Sequence, residues 1–387
     1  TPAPQQPMMK KYLPDFLKPA IRYVYYRQQR AKVAREPGIR RKQDELIKQF
    51  DPSAERLIVY LVEGADWDTG IDKISGGIIS IVSFCEESRA LRSLHGAEVI
   101  MCTLPRQHLL LKHTWFRNDT DVFRSSQLKQ YFTAVKEVVF HIPEYVTEYF
   151  SDCLHRGEFS WLDKVKKVQV NIMNQNIRLM PPAWVIQELR QQVSLVTMTT
   201  AHQQYCTPAY RKAWGIPLHK LSVWISPEKY FFKPYPDKQD LIVVSPDDHP
   251  ARESIMKQLY SLKNIRVQVI RNLTYEQYKA TISEAKWALT FGEGLDGYFI
   301  EPILSGAVGF AVYNEEFFTG DFKDLATVYP SYAVMENDMA RDLERLDNER
   351  DFPVYQRSQF ERCAAHYSHE QYGKNIAAFY RGEYTFP

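Results

Sequence analysis

Long apolar runs are scarce in this 387-residue chain. None of its uncharged stretches approaches the roughly 20 residues a membrane-spanning helix needs. The first residues are polar, basic and proline-rich with no apolar segment among them, so no secretory leader is expected. Cysteine is also rare. The five, at positions 85, 102, 153, 206 and 363, are odd in number and show no paired metal-ligand spacing. That argues against a disulfide framework or a zinc site and for buried free thiols filling a core in a reducing compartment, which points to the cytoplasm. Excess charge of one sign is missing too, with a formal net charge of only +2. Yet residues 1–50 hold six Lys, six Arg and four acidic residues, a net +8, which leaves −6 on the remainder. A basic excess that stops so early makes nucleic acid an unexpected partner.

What the chain does have is apolar and aromatic material for a core, 44% and 13% of its residues. Its length predicts two domains. Residues 12–35 combine Ile21, Val24, Tyr25 and Tyr26 with six basic residues, and Pro37-Gly38 follows as a stop. This pattern fits an amphipathic helix lying on an anionic membrane surface, or one packed on the body with a solvated basic face. From residue 56 an α/β alternation sets in. Strand-like runs at 56–64, 97–103, 136–142, 167–173 and 194–200 alternate with helical segments, the first at 75–96 with Ile78, Ile81, Val82 and Cys85 on one face. Residues 227–239 carry three prolines and no period, as a linker would. The alternation then restarts with 240–245, a helix from about 251, 264–270, a helix over 274–285, and 287–291. The expected organisation is a basic helical arm at 1–50, an α/β domain at 51–228, a second at 229–352, and helices at 353–387 crossing back to the first domain.

The densest chemical signal is Phe291 to Asn314, FGEGLDGYFIEPILSGAVGFAVYN. It reads as a strand end, a turn with Gly292, Gly294 and Gly297, a short helix, a stop at Ser305-Gly306, and another strand. Glu293 and Glu301 stand eight positions apart in it. Turns of this kind lie at the carboxyl ends of parallel strands, where ligands bind. A helix N-terminus there suits a phosphate.

Two α/β halves, the E-x7-E pair in the second and Gly76-Gly77 at the first strand–helix turn together resemble the retaining GT-B glycosyltransferases of the GT4 type. Glu293, Gly294, Glu301 and Gly306 stand at the positions of that family's C-domain motif. The order of the segments NIMNQNIRLMPP, SLVTMTTAHQQYCTPAYRKAWGIP and KLSVWISPEKYFF is similar to bacterial surface-polysaccharide rhamnosyltransferases. The resemblance covers about residues 56–385. It implies a GT-B fold, two Rossmann-like doubly wound domains facing across a cleft. It also implies transfer of a sugar from a nucleotide diphosphate, dTDP- or UDP-linked, to a glycan or lipid-linked acceptor, with no cofactor and no metal. Glu301 would bond the donor ribose and Glu293 the donor sugar. Gly76, Gly77, Gly294 and Leu295 would line the donor.

One departure concerns the diphosphate. The family usually places an Arg and a Lys after the first C-domain strand, whereas VVSPDDHPARES has Asp247 and Asp248 there. Arg252 is the best substitute, then Lys257, with Arg271 a further possibility. On the acceptor side Asn174 and Gln175 bind hydroxyls but take no proton. His141 and His202 sit at strand ends, where a lone His is more often structural, and His202 is a further acceptor-binding candidate. Asp66 and Trp67 occupy a plausible acceptor loop. Two alternatives stay open: a GT-B-like phosphorylase or epimerase, and a non-catalytic relative acting as a binding module.

Overall fold

The computed structural model describes residues 36–64, 76–111, 120–222, 230–271, 273–292, 294–367 and 369–387. The amphipathic segment at 12–35 and the candidates Asp66, Trp67 and Glu293 therefore lie outside the described residues. Two parallel sheets organise the rest. The first has seven strands in the order β3-β2-β1-β4-β5-β6-β7, from β1 (Arg56–Val62), β2 (Glu98–Thr103), β3 (Val122–Arg124), β4 (Glu137–Pro143), β5 (Lys167–Asn174), β6 (Leu195–Thr200) and β7 (Leu218–Lys220). The second has five in the order β12-β11-β10-β8-β9, from β8 (Gln239–Val244), β9 (Arg266–Val269), β10 (Ala285–Leu289), β11 (Val308–Val312) and β12 (Val328–Tyr329).

Continuous burial of β2, β5 and β10 explains why these strands read as unbroken apolar runs: helices cover both faces. The strand order reverses between β1 and β4 in one sheet and between β8 and β10 in the other. Those two points are where a doubly wound sheet opens a crevice for ligands.

The expected helix at 75–96 is divided. α2 (Gly76–Ala90) ends where Leu91 leaves helical geometry, and α3 (Arg92–His95) then closes on Gly96 at φ +63°. The expected face is intact, with Ile78, Ile81, Val82 and Cys85 all buried. Pro37-Gly38 does not act as a stop, because α1 covers residues 36–46 and runs through both. α1 belongs to the body: Gln43 Nε2 donates to Leu110 O and Val122 O at 3.0 and 2.9 Å.

Three further helices end the chain, α11 (Tyr332–Leu346), α12 (Asp351–His366) and α13 (His369–Arg381). α13 leaves the second domain and packs on α2 of the first. There the Tyr380 hydroxyl meets Ser88 Oγ at 2.7 Å and His141 Nε2 at 3.1 Å. The last residues cover the edge of β7 through paired backbone bonds between Leu218 and Phe386. All five cysteines are free and buried. Among the described residues no helix is long and apolar enough to cross a membrane.

Candidate functional site

β10 delivers the chain to the glycine turn at the switch point of the second sheet. The Phe291 N–H donates to Ser245 Oγ at 2.9 Å, which fastens the turn to the end of β8. Gly292 is required by crowding. A Cβ there would lie 2.5 Å from Asp296 Oδ2 and 3.0 Å from Asp247 Oδ2. Two carboxylates thus converge on one backbone position. Gly294 holds φ +96°, and a side chain on it would run into the Phe318 ring. Leu295 is buried in the second domain's core, so it shapes the turn from behind.

Asp296 caps α10 (Gly297–Leu304), its Oδ1 accepting the Phe299 N–H at 3.1 Å and its Oδ2 the Thr290 hydroxyl at 2.8 Å. An Asp just ahead of an apolar helical run is a standard N-cap signal, and it is legible in the sequence. It also means that the helix end meets one negative charge from its own chain.

Glu301 lies under the first turn of α10. It is 7% exposed, and its Oε1 approaches to 3.0 Å the place a Cβ on Gly297 would take. Oε2 has no hydrogen-bond partner among the described residues. Burial drives its pKa up to about 8, and the nearby Tyr278 and Tyr230 hydroxyls only partly offset that. Tyr278 lies on α9 (Tyr275–Glu284) and donates to Gly297 O at 3.3 Å, while Tyr230 comes from the linker. Sequence reasoning missed this tyrosine lining. No motif marks it, because its two tyrosines come from segments distant in sequence from each other and from Glu301.

Arg252 opens α8 (Arg252–Ser261). Its Nη1 donates to Ser245 O and Asp247 O at 2.8 and 2.9 Å, and its guanidinium lies 5.0 Å from the Phe291 ring centroid. The structure therefore brings this cation to the glycine turn. Lys257 is exposed further along α8. It lines an open groove of about 730 Å³ between α8 and the end of β9, together with Arg252, His249, Tyr260 and Arg271. Asp247 Oδ2 is buried and without a partner among the described residues. Charge at this site is divided, with Arg252, Lys257 and Arg271 outnumbering the single carboxylate of Glu253 along the groove and two carboxylates at the turn.

In the first domain, Gly76 and Gly77 begin α2, and Gln175 Nε2 donates to Gly77 O at 3.0 Å. Asn174 ends β5 and is fully enclosed. Both histidines pack against aromatic rings. His202 stands edge-on to Tyr205 and Phe317, ring centroids at 5.5 and 5.4 Å, and burial lowers its pKa to about 4. It sits in the junction between the domains, where Gln204 Nε2 donates to Phe317 O and Arg178 pairs with Glu316 at 2.7 Å. His141 is wholly buried against Tyr60, with its pKa lowered to about 3 by desolvation.

Gly306 closes the motif for a mechanical reason. It holds φ +92°, and a side chain on it would strike Lys233 O of the linker. Lys238, at the linker's end, donates from Nζ to Ser283 O, Ala285 O and Ser305 O at 2.9, 3.0 and 3.0 Å. The linker is therefore stapled to the ends of α9 and α10.

No protein-family model matches the sequence, and no curated protein matches it. Solved structures do match. Sucrose-phosphate synthase from Thermosynechococcus elongatus superposes with a TM-score of 0.51 at 11% identity, over 85% of this chain and 99% of that one. The catalytic domain of starch synthase IV from Arabidopsis thaliana gives 0.49 at 9% identity, over 84% and 100% of the two chains. Anabaena HepE, solved with UDP-glucose, gives 0.48 at 10% identity over 84% and 99%. At such identities the likeness is one of fold. Two parallel α/β domains with C-terminal helices, superposing over nearly the whole synthase chain, give this protein the GT-B fold.

Proposed function

We propose that this chain is a glycosyltransferase that moves a sugar from a nucleotide diphosphate to a glycan or lipid-linked glycan acceptor, with retention of configuration. The observation that carries the reading is the divided charge around Gly292. Arg252 is held over Phe291 at the mouth of a groove that also bears Lys257 and Arg271, and it suits a diphosphate. Asp247 and Asp296 converge beyond it and suit sugar hydroxyls, which donate to carboxylates.

In the transfer the anomeric carbon's bond to the departing phosphate oxygen breaks, and the electron pair leaves with the nucleoside diphosphate. The acceptor hydroxyl forms the new bond on the same face and passes its proton to the leaving phosphate. No protein nucleophile is needed. Positive charge develops at the anomeric carbon beside the carboxylates and negative charge at the phosphate beside Arg252, and preorganised charges of this kind are the largest catalytic contribution in many enzymes. A dTDP-linked deoxyhexose is the first donor to try and a UDP-hexose the second, in bacterial surface-polysaccharide synthesis at the cytoplasmic face of a membrane. Residues 12–35 would supply the surface contact.

A second reading rests on Asp296. Its carboxylate takes up the Phe299 N–H at the end of α10, where a phosphate would otherwise bind. A relative that has lost its donor site and serves as a binding module would look like this. Thermal shift separates the two, since a ligand that binds only the folded state raises its stability. UDP, dTDP or GDP at millimolar concentration should raise the melting temperature of the wild type and leave Arg252→Ala unmoved. No shift with any of them favours the module.

A further inference from the structure

Asn174 is 1% exposed, and neither its Oδ1 nor its Nδ2 has a hydrogen-bond partner among the described residues. Burial of an amide with both ends unmet is unfavourable unless something else meets them. The amide lines a half-enclosed pocket of about 20 Å³, bounded by α2, the ends of β5 and β6, and α13. Ser80, Ser83, Thr199, Ser222 and Tyr372 share its wall, and among the described residues no charged side chain does. Ser222 holds a left-handed φ of +72°, and Asn375 of α13 secures it by donating to its hydroxyl at 3.2 Å and to Leu221 O at 3.1 Å. At the rim, the Gln175 bond to Gly77 O ties the pocket to the glycine turn of the first domain.

These facts restrict the occupant. The volume admits about one water-sized oxygen. An ion would find no counter-charge among the described residues. An amide whose NH2 and carbonyl oxygen are both unmet fits an oxygen that both donates and accepts, which is a hydroxyl or a water. An amide takes no proton, so Asn174 binds and orients without acting as a base.

We propose that the Asn174 pocket is a socket for a single neutral hydroxyl of the sugar acceptor, held by water until the acceptor arrives. The proposal rests on the sugar-transfer reading, and its test is kept separate from that of the donor. Saturation-transfer NMR with methyl α-L-rhamnopyranoside and methyl α-D-glucopyranoside reads acceptor binding directly in wild type, Asn174→Leu and Asn174→Ser. At least one glycoside should bind the wild type, lose tenfold or more in affinity with Leu, and lose less with Ser, whose hydroxyl restores one of the two bonds. Absence of binding to the wild type, or equal binding to the Leu variant, overturns the proposal. If the Leu variant does not fold, unchanged affinity in the Ser variant overturns it equally. Crystals grown with and without the glycoside tell the two oxygens apart: a sugar hydroxyl replacing the water supports the socket, and a water left in place in both contradicts it. Failure of the donor reading is seen elsewhere, as no thermal shift with UDP or dTDP while a glycoside still binds.

Discussion

Glu301 shows how far a residue's surroundings can separate its stability role from its chemistry. Its carboxyl is held up at about 8 in the folded protein, against 4.5 for an ordinary glutamate. Between those values the unfolded chain releases a proton that the folded chain keeps, so stability is greatest at low pH and falls as pH rises toward 8. Glu301→Gln should abolish that slope and raise the melting temperature at pH 8 by a few degrees, on the order of what 1–2 kcal/mol produces in a chain this size. Under the proposed function, in which Glu301 would bond the donor ribose, turnover of a nucleotide sugar should fall at least tenfold in the same variant above pH 8, where the ionised carboxylate offers two acceptor oxygens and the amide one. Melting curves across pH 5–9 beside a rate measurement check both halves, and a melting temperature lowered at pH 8 would refute the assigned burial cost. Of this site, the glycine turn and the helix carrying Glu301 were read from the sequence, and the Asp296 cap was missed although its signal was there, because turn and cap chemistry is local. The bonds of Arg252 to two carbonyls were not. They depend on the path of the loop from Ser245 to Ala251, and no spacing encodes that path.

At the scale of elements, the linker staple is the most consequential feature. Lys238 Nζ is the donor for three carbonyls at the ends of α9 and α10, and burial lowers its pKa to about 7. Lys238→Met keeps the stem and removes the donor. Leaving buried carbonyls unmet costs about 1–3 kcal/mol each where no water replaces the lysine, so urea unfolding should show a loss of at least about 2 kcal/mol. A loss below about 0.5 kcal/mol would mean that water satisfies those carbonyls. The long strands were legible because burial on both faces leaves continuous apolar runs. β3, β7 and β12 were not, having two or three residues each and therefore no measurable period. The break of α2 at Leu91 was missed for a related reason, since the apolar spacing continues through it.

For the molecule as a whole, the restart of the alternation after the linker made two α/β halves readable, and an apolar strand next to glycines suggested a cleft between them. The way the halves are joined was hidden. The return of α13 to the first domain rests on a buried network linking Tyr60, Ser88, His141 and Tyr380, with Tyr60 and Tyr380 separated by 320 positions. Residues so far apart share no local pattern. The second joint is the Phe317 contact with His202 and Tyr205. Phe317 is 1% exposed, so Phe317→Ala should destabilise the protein by roughly 3 kcal/mol. Because that ring bridges the domains, its loss should also uncouple them, giving two calorimetric transitions where the wild type gives one. A single transition shifted to lower temperature would show that α13 alone couples the halves.

The central claim is that the divided charge around Gly292 holds a nucleotide sugar. A hydrolysis screen across dTDP-, UDP- and GDP-sugars, with release of nucleoside diphosphate as the readout, tests it most directly. At least one donor should be cleaved by the wild type, and Arg252→Ala should slow that cleavage tenfold or more. Cleavage of none, or cleavage unchanged by the loss of Arg252, would contradict the claim.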